Sequence, residues 1–326
     1  MPTSPPPALF DPDHFTVQIK DILVSALPML EEVRNYGLAL FSRCSIRPPG
    51  GDENLAILLP YLHLLEMLDA VIVLLPASAI APARLQLRSI LEASLTIEYI
   101  AQADTARRGH AYLLVDALEE REFMKRLDPQ SKEGQKLRLD LGKGSILADF
   151  DKHFGASEIA SGPQFPSTLL DKPPFKDVWD EYTRLASTKI QRNQIRWYRL
   201  FDGPRSIRQL AYKLGRGSEY EFLYSRMSAA IHVTAALRRQ VEVAGPETGN
   251  VRPLRDPREI FNVCRLSHAL SIRATKPVLL YFRPQENQRS IEWYIREIKP
   301  NFDRFCQIAA SYQSNGKTTR DTSAKQ

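Results

Sequence analysis

The sequence predicts an all-α protein, an irregular multi-helix bundle, and three observations carry that expectation. Apolar residues recur at intervals of three and four along most of the chain, the spacing that lines one face of a helix. Strict apolar/polar alternation, the mark of a half-buried strand, is hard to find. No internal repeat at a period of about 20 to 50 residues is visible, which favours a bundle over a solenoid.

Helices are expected over residues 14–43, 54–75, 82–103, 106–127, 175–200, 204–215, 218–243, 257–282 and 288–311. The start of the eighth is the best marked. Asp256 offers a cap, Pro257 suits a first helical position and Glu259 follows, so donors orphaned at the helix end find partners. Pro82 suits an early position, whereas Pro28, Pro60, Pro277 and Pro300 should bend or break their segments. Residues 128–174 shift toward Gly, Pro, Ser and charge, as an insertion or long connection would, with a short amphipathic helix around Lys136 to Leu141. The proline-rich residues 1–12 and the polar tail 313–326 bury too little to offset ordering entropy and are expected to be disordered. The helical domain is expected over 13–312, although 326 residues leave one large domain and two smaller ones both open.

Composition narrows the class. Charged residues make up 25% of the chain and hydrophobic ones 43%, ordinary globular values that exclude global disorder. The N-terminal residues lack the charged start and apolar centre of a secretory signal, and Cys44, Cys264 and Cys306 are odd in number and far apart. A cytoplasmic location with reduced thiols, no structural zinc and no cofactor is the expectation. Residues 55–83 are apolar, but His63, Glu66 and Asp69 interrupt them and the charge-free remainder falls short of the ~20 residues that span a bilayer, so a buried core is expected and membrane insertion is not.

Three constellations carry chemistry. Arg84, Arg88 and Glu92 stand four apart on one helical stripe, and Arg88 and Glu92 are expected to form a buried ion pair. With His63, Glu66 and Asp69 on the preceding helix they have the residue types of a carboxylate metal site, yet no Glu-x-x-His occurs and a polar seam of paired charges serves equally. Next, residues 189–216 hold eight Lys or Arg, among them Arg192, Arg196, Arg199, Arg205 and Arg208, against the single acid Asp202. Trp197, Tyr198, Phe201 and Tyr212 are interleaved, so phosphate-neutralising cations stand beside flat rings on which bases stack; arginines coating the outside of an ordinary helix pair are the alternative. Finally, Tyr220, Tyr224, Ser228 and His232 form one slowly turning stripe, suited to a site or to a hydrogen-bonded structural seam. No nucleophile elbow, P-loop, dinucleotide fingerprint or HExxH is present.

The helix LRSILEASLTIEYI, with Arg88 and Glu92, together with Trp197, Ile207 and Ala211 and the Tyr220, Tyr224, Ser228, His232 stripe, resembles a bacterial family catalogued as domain of unknown function 5677, over roughly residues 55–240. That resemblance implies an all-helical domain and no assigned activity. Arg226 and His232, with five residues between them, are similar to the Arg-x(4–6)-His motif of HEPN nucleases, although Met227 stands where those proteins usually carry a polar residue. This second resemblance implies metal-independent RNA cleavage by Arg226 and His232, often across a homodimer, in a toxin or defence effector. Binding of an acidic partner such as RNA through the basic segment is the leading functional expectation, with the ribonuclease and a structural interaction module as alternatives.

Overall fold

The computed structural model describes residues 9–46, 50–141, 172–188, 195–224, 227, 241–243 and 249–323. Among these, α1 spans Pro12–Ser45, α2 Leu55–Leu74, α3 Ile80–Gln102, α4 Thr105–Leu127, α5 Lys132–Leu141, α6 Pro173–Ala186 and α7 Ile207–Lys213. A single turn, α8 (Gly217–Glu219), runs into a π turn at Tyr220–Tyr224; strands β1 (Val241–Val243) and β2 (Gly249–Val251) follow. The chain ends in α9 (Ile260–Phe282), α10 (Asn287–Trp293), a π turn at Tyr294–Ile298 and α11 (Lys299–Ser323). The all-α expectation holds, with one small antiparallel hairpin added, in which Val241 faces Val251.

The chain gathers into two compact units. Unit 1 comprises Met1–Pro49, Ile57–Ala103 and Ala211–Gln326, and unit 2 comprises Gly50–Ala56 and Asp104–Leu210.

In unit 1 the most extensive helix packing joins α9 to α3, and α1 packs on both α9 and α11. α2 is fixed by polar stitches inside this apolar core. The Tyr61 ring is fully buried, and its hydroxyl meets the Thr275 hydroxyl of α9 at 3.0 Å. Arg34 of α1 reaches Asp69 at 2.6 Å. A Cβ on Gly37 would stand 2.5 Å from Leu65 Cδ2, so a larger residue there would force the Leu65 side chain to shift. Residues Asp52–Leu74 are long and apolar enough to cross a membrane, with mean hydropathy 1.9, and half of that window is buried inside the protein. Ala56, Ile57, Tyr61, Leu64, Leu65 and Leu68 form the buried face.

Several sequence expectations are corrected here. Pro28, Pro60 and Pro277 lie inside continuous helices and do not break them. Buried neighbours such as Met29, Leu30, Tyr61, Val278 and Leu279 anchor the helix around each ring, so packing offsets the lost backbone bond. Before Pro300 the irregularity does appear, as the π turn at Tyr294–Ile298, where the helix widens ahead of a ring that displaces the carbonyl four residues back. The expected helix over 218–243 gives way to strand at Val241–Val243, where β-branched residues pair across the hairpin. α11 runs from Lys299 to Ser323, with no proline after Pro300 in the sequence. At the other end, Leu9 is engaged through its carbonyl, which accepts from Leu254 N at 2.9 Å.

Unit 2 is built around α4. The 3₁₀ turn Asp52–Asn54 lies against it so closely that a Cβ on Gly109 would be 2.7 Å from Glu53 Cβ. His110 is buried against Phe175 of α6 at 4.7 Å and 3.6 Å from Glu53; desolvation pulls its pKa down despite that carboxylate. The expected helix over 175–200 ends at Ala186, because the Ser187 and Thr188 hydroxyls bond back to the carbonyls of Arg184 and Leu185 at 2.7 and 2.6 Å. Residues 195–203 then form a tight loop around a 3₁₀ turn at Trp197–Arg199. Phe201 and Asp202 adopt left-handed backbone (φ 55° and 56°), held where the Phe201 amide donates to Glu181 at 3.0 Å. Arg184 grips the same carboxylate at 2.6 and 2.8 Å and is the main reason its pKa is lowered.

Candidate arginine–aromatic interface

The structure places the sequence-derived candidates in separate surroundings. Arg88 Nε donates to Glu92 at 2.8 Å, so the pair forms, but it is half-buried rather than buried: 27% and 41% of the two side chains remain exposed, because the stripe lies at the edge of α3's buried face. Arg88 also donates to the Tyr224 hydroxyl at 2.7 Å, and Tyr224 stacks on Tyr220 at 4.6 Å. Burial, reinforced by the Glu92 charge, pushes the Tyr224 phenol up to about 12. His63 and Glu66 are exposed and lie 3.7 Å from each other, Asp69 is paired with Arg34, and these residues do not converge with Arg88 and Glu92. Among the described residues no group of three His, Cys, Asp or Glu side chains is placed to hold a metal ion. Arg192, Arg226, Ser228 and His232 lie outside the described residues.

The remaining basic-segment residues divide. Trp197 is half-buried, edge-on to Tyr112 at 5.5 Å, and Phe201 lies beneath the Arg107 guanidinium at 5.0 Å, so neither ring is a bare platform. Arg205 and Arg208 are exposed and Arg199 half-buried. Arg196 faces a cleft.

That cleft, 700 Å³ in volume, is walled by α4, α6 and residues 195–196. α4 contributes Arg121 and also Phe123 and Arg126, which are three apart and share one side of the helix; α6 contributes Trp179 and Tyr182, three apart. The Trp179 and Tyr182 rings are nearly parallel, 14° apart with centroids at 6.0 Å, and Phe123 is exposed. Three arginines surround the rings. Arg196 is held over the cleft by Glu119 at 3.0 Å, whereas Arg126 is exposed and the Arg121 Nε is buried with no hydrogen-bond acceptor. Glu119 and Glu122 also line the cleft, leaving three positive charges against two negative ones. An unanswered buried donor costs free energy until an acceptor arrives. Flat rings flanked by guanidinium groups are what a ligand with π faces and anionic linkers requires. Of these residues sequence reasoning identified only Arg196. The signals for the others were the Trp179-x-x-Tyr182 and Phe123-x-x-Arg126 spacings, which have no meaning until α4 and α6 are known to face each other.

Residues 54–247 match the family described as Family of unknown function (DUF5677). No curated protein and no solved structure matches the chain.

Proposed function

The chain belongs to the DUF5677 family of unknown function, and on that premise we propose that it binds single-stranded RNA, or an acidic polymer like it, at the arginine–aromatic cleft of unit 2. The observation that carries this reading is the Trp179/Tyr182 pair lying among Arg121, Arg126 and Arg196, one of them with a buried, unsatisfied donor. Bases would stack on the rings while the guanidinium groups neutralise the backbone, a mode tolerant of sequence. The exposed Arg205 and Arg208 add to the positive surroundings of unit 2.

The test is anisotropy titration of a labelled RNA oligomer at several salt concentrations. Replacing Arg126 and Arg196 with Gln should weaken binding and flatten its salt dependence by up to ~0.7 per lost phosphate contact. An unchanged slope would remove the cleft from consideration. The alternative, metal-independent cleavage by Arg226 and His232, rests on the motif alone and is read in the same samples. RNA cut by the wild type and spared by His232→Ala would establish it, and RNA intact with both would dismiss it.

A further inference from the structure

In unit 1 a cavity of 510 Å³ opens at the amino end of α3, between Phe10, the first turns of that helix and the segment following β2. Phe10, Ile80, Leu85 and Leu254 give it apolar walls. Two cations are set into them, Arg84 from α3 and Arg252 from the segment after β2, and the Nε of each is buried without a hydrogen-bond partner. Two carboxylates also border the cavity. Asp256 is already matched by Arg258, which contacts it at 2.7 to 3.0 Å, and Glu259 is exposed and receives the Asn262 amide at 3.0 Å. The first turn of α3 has no side-chain cap, so its positive end adds to the attraction for an anion.

Two arginines, each with a buried Nε that has no acceptor, stand in largely apolar walls whose two carboxylates are engaged by Arg258 and Asn262, an arrangement suited to a ligand with one anionic end and one apolar end. The volume is that of a small-molecule site, which commonly runs from about 300 to 1,000 Å³. We propose that this cavity binds a medium-chain carboxylate, its head between Arg84 and Arg252 and its chain against Phe10, Ile80, Leu85 and Leu254.

Isothermal titration of the full chain with decanoate, and in parallel with the decyltrimethylammonium cation, tests the assignment. Decanoate should bind saturably at one site below its micellar concentration, and the cation of equal chain length should not. Substituting Arg84→Gln and Arg252→Gln together should weaken decanoate binding about tenfold or more, with the thermal melt retained. If the double variant does not fold, Arg252→Gln alone, outside any helix, should still weaken binding. Equal binding of anion and cation, an affinity unchanged by substitution, or no saturable binding by the wild type would each overturn the proposal.

Discussion

Arg216 in unit 1 and Arg121 in unit 2 are the same residue in opposite circumstances. Arg216 donates to both oxygens of Glu98 at 3.2 Å and lies 3.7 Å from Glu219, which in turn pairs with Arg273. Two cations and two anions there answer one another within a single chain of contacts. Arg121 has only a 4.0 Å approach to Glu122, and its Nε is buried with nothing to accept its proton. The first arrangement holds α3, α8 and α9 together and asks for nothing further. The second leaves one buried donor unmet among the described residues. Whether a cation belongs to the fold or to a site is thus decided by how many of its donors the protein itself satisfies, not by its charge.

The largest effect is expected at His268, a polar ring with neither counter-charge nor acceptor. It is buried in unit 1, stacked on Phe302 at 4.7 Å with both ring nitrogens unpartnered, and desolvation lowers its pKa from 6.5 to about 4. Between those two values the unfolded chain takes up a proton that the folded chain refuses, so stability is full above pH 6.5 and falls as the pH drops toward 4, by about 3 kcal/mol. Urea unfolding at pH 7.5 and 4.5 should show this loss in the wild type and a smaller one in His268→Phe. Equal losses in both would place the pH sensitivity elsewhere.

Glu219→Ala breaks the answered network and leaves Arg216 and Arg273 short of a partner at sites about three-quarters buried. A destabilisation of about 2 kcal/mol is expected, below the range for fully buried pairs. A melting temperature equal to the wild type's would show that these contacts do not hold unit 1 together. On the unanswered side, Trp179→Ala should weaken RNA binding roughly tenfold, the worth of one stacked base, with Trp179→Phe recovering most of it. Loss of affinity in both variants would mean that ring stacking is not what Trp179 supplies. The smallest effect belongs to Glu92→Ala. With its side chain 41% exposed, this change should cost about 1 kcal/mol, read from chemical denaturation.

Local periodicity made most helices legible. The expected 14–43, 54–75, 82–103 and 106–127 correspond to α1 through α4 within two residues at each end, and Asp256 caps the turn leading into α9 as its spacing implied, accepting from Arg258 N at 3.1 Å. Illegible features depended on competition or on distance. Ser187 and Thr188 end α6 by bonding to their own backbone, a contest that apolar spacing does not register. The three prolines inside helices are tolerated where residues beside them in the same helix are buried in the core, and burial is set by tertiary packing that local spacing does not register. The cleft of unit 2 escaped notice for the same reason, since Trp179 and Arg121 are far apart in sequence and their spacings are ordinary. Arg88 and Glu92 were found as a pair because four residues along one helix suffice to bring them together; their half-exposure depended on what lay outside that helix.

The bond between Tyr61 and Thr275 joins residues 214 positions apart and dictates an order of events during synthesis. Every segment of unit 2 precedes residue 211, whereas α3 cannot gain its partner α9 until translation has passed Phe282. A nascent chain halted near residue 250 should therefore hold a finished unit 2 beside an α2 and α3 whose apolar faces are still open, and at that length chaperone binding and protease sensitivity at residues 57–103 should be greatest. Release of a further ~35 residues should abolish both.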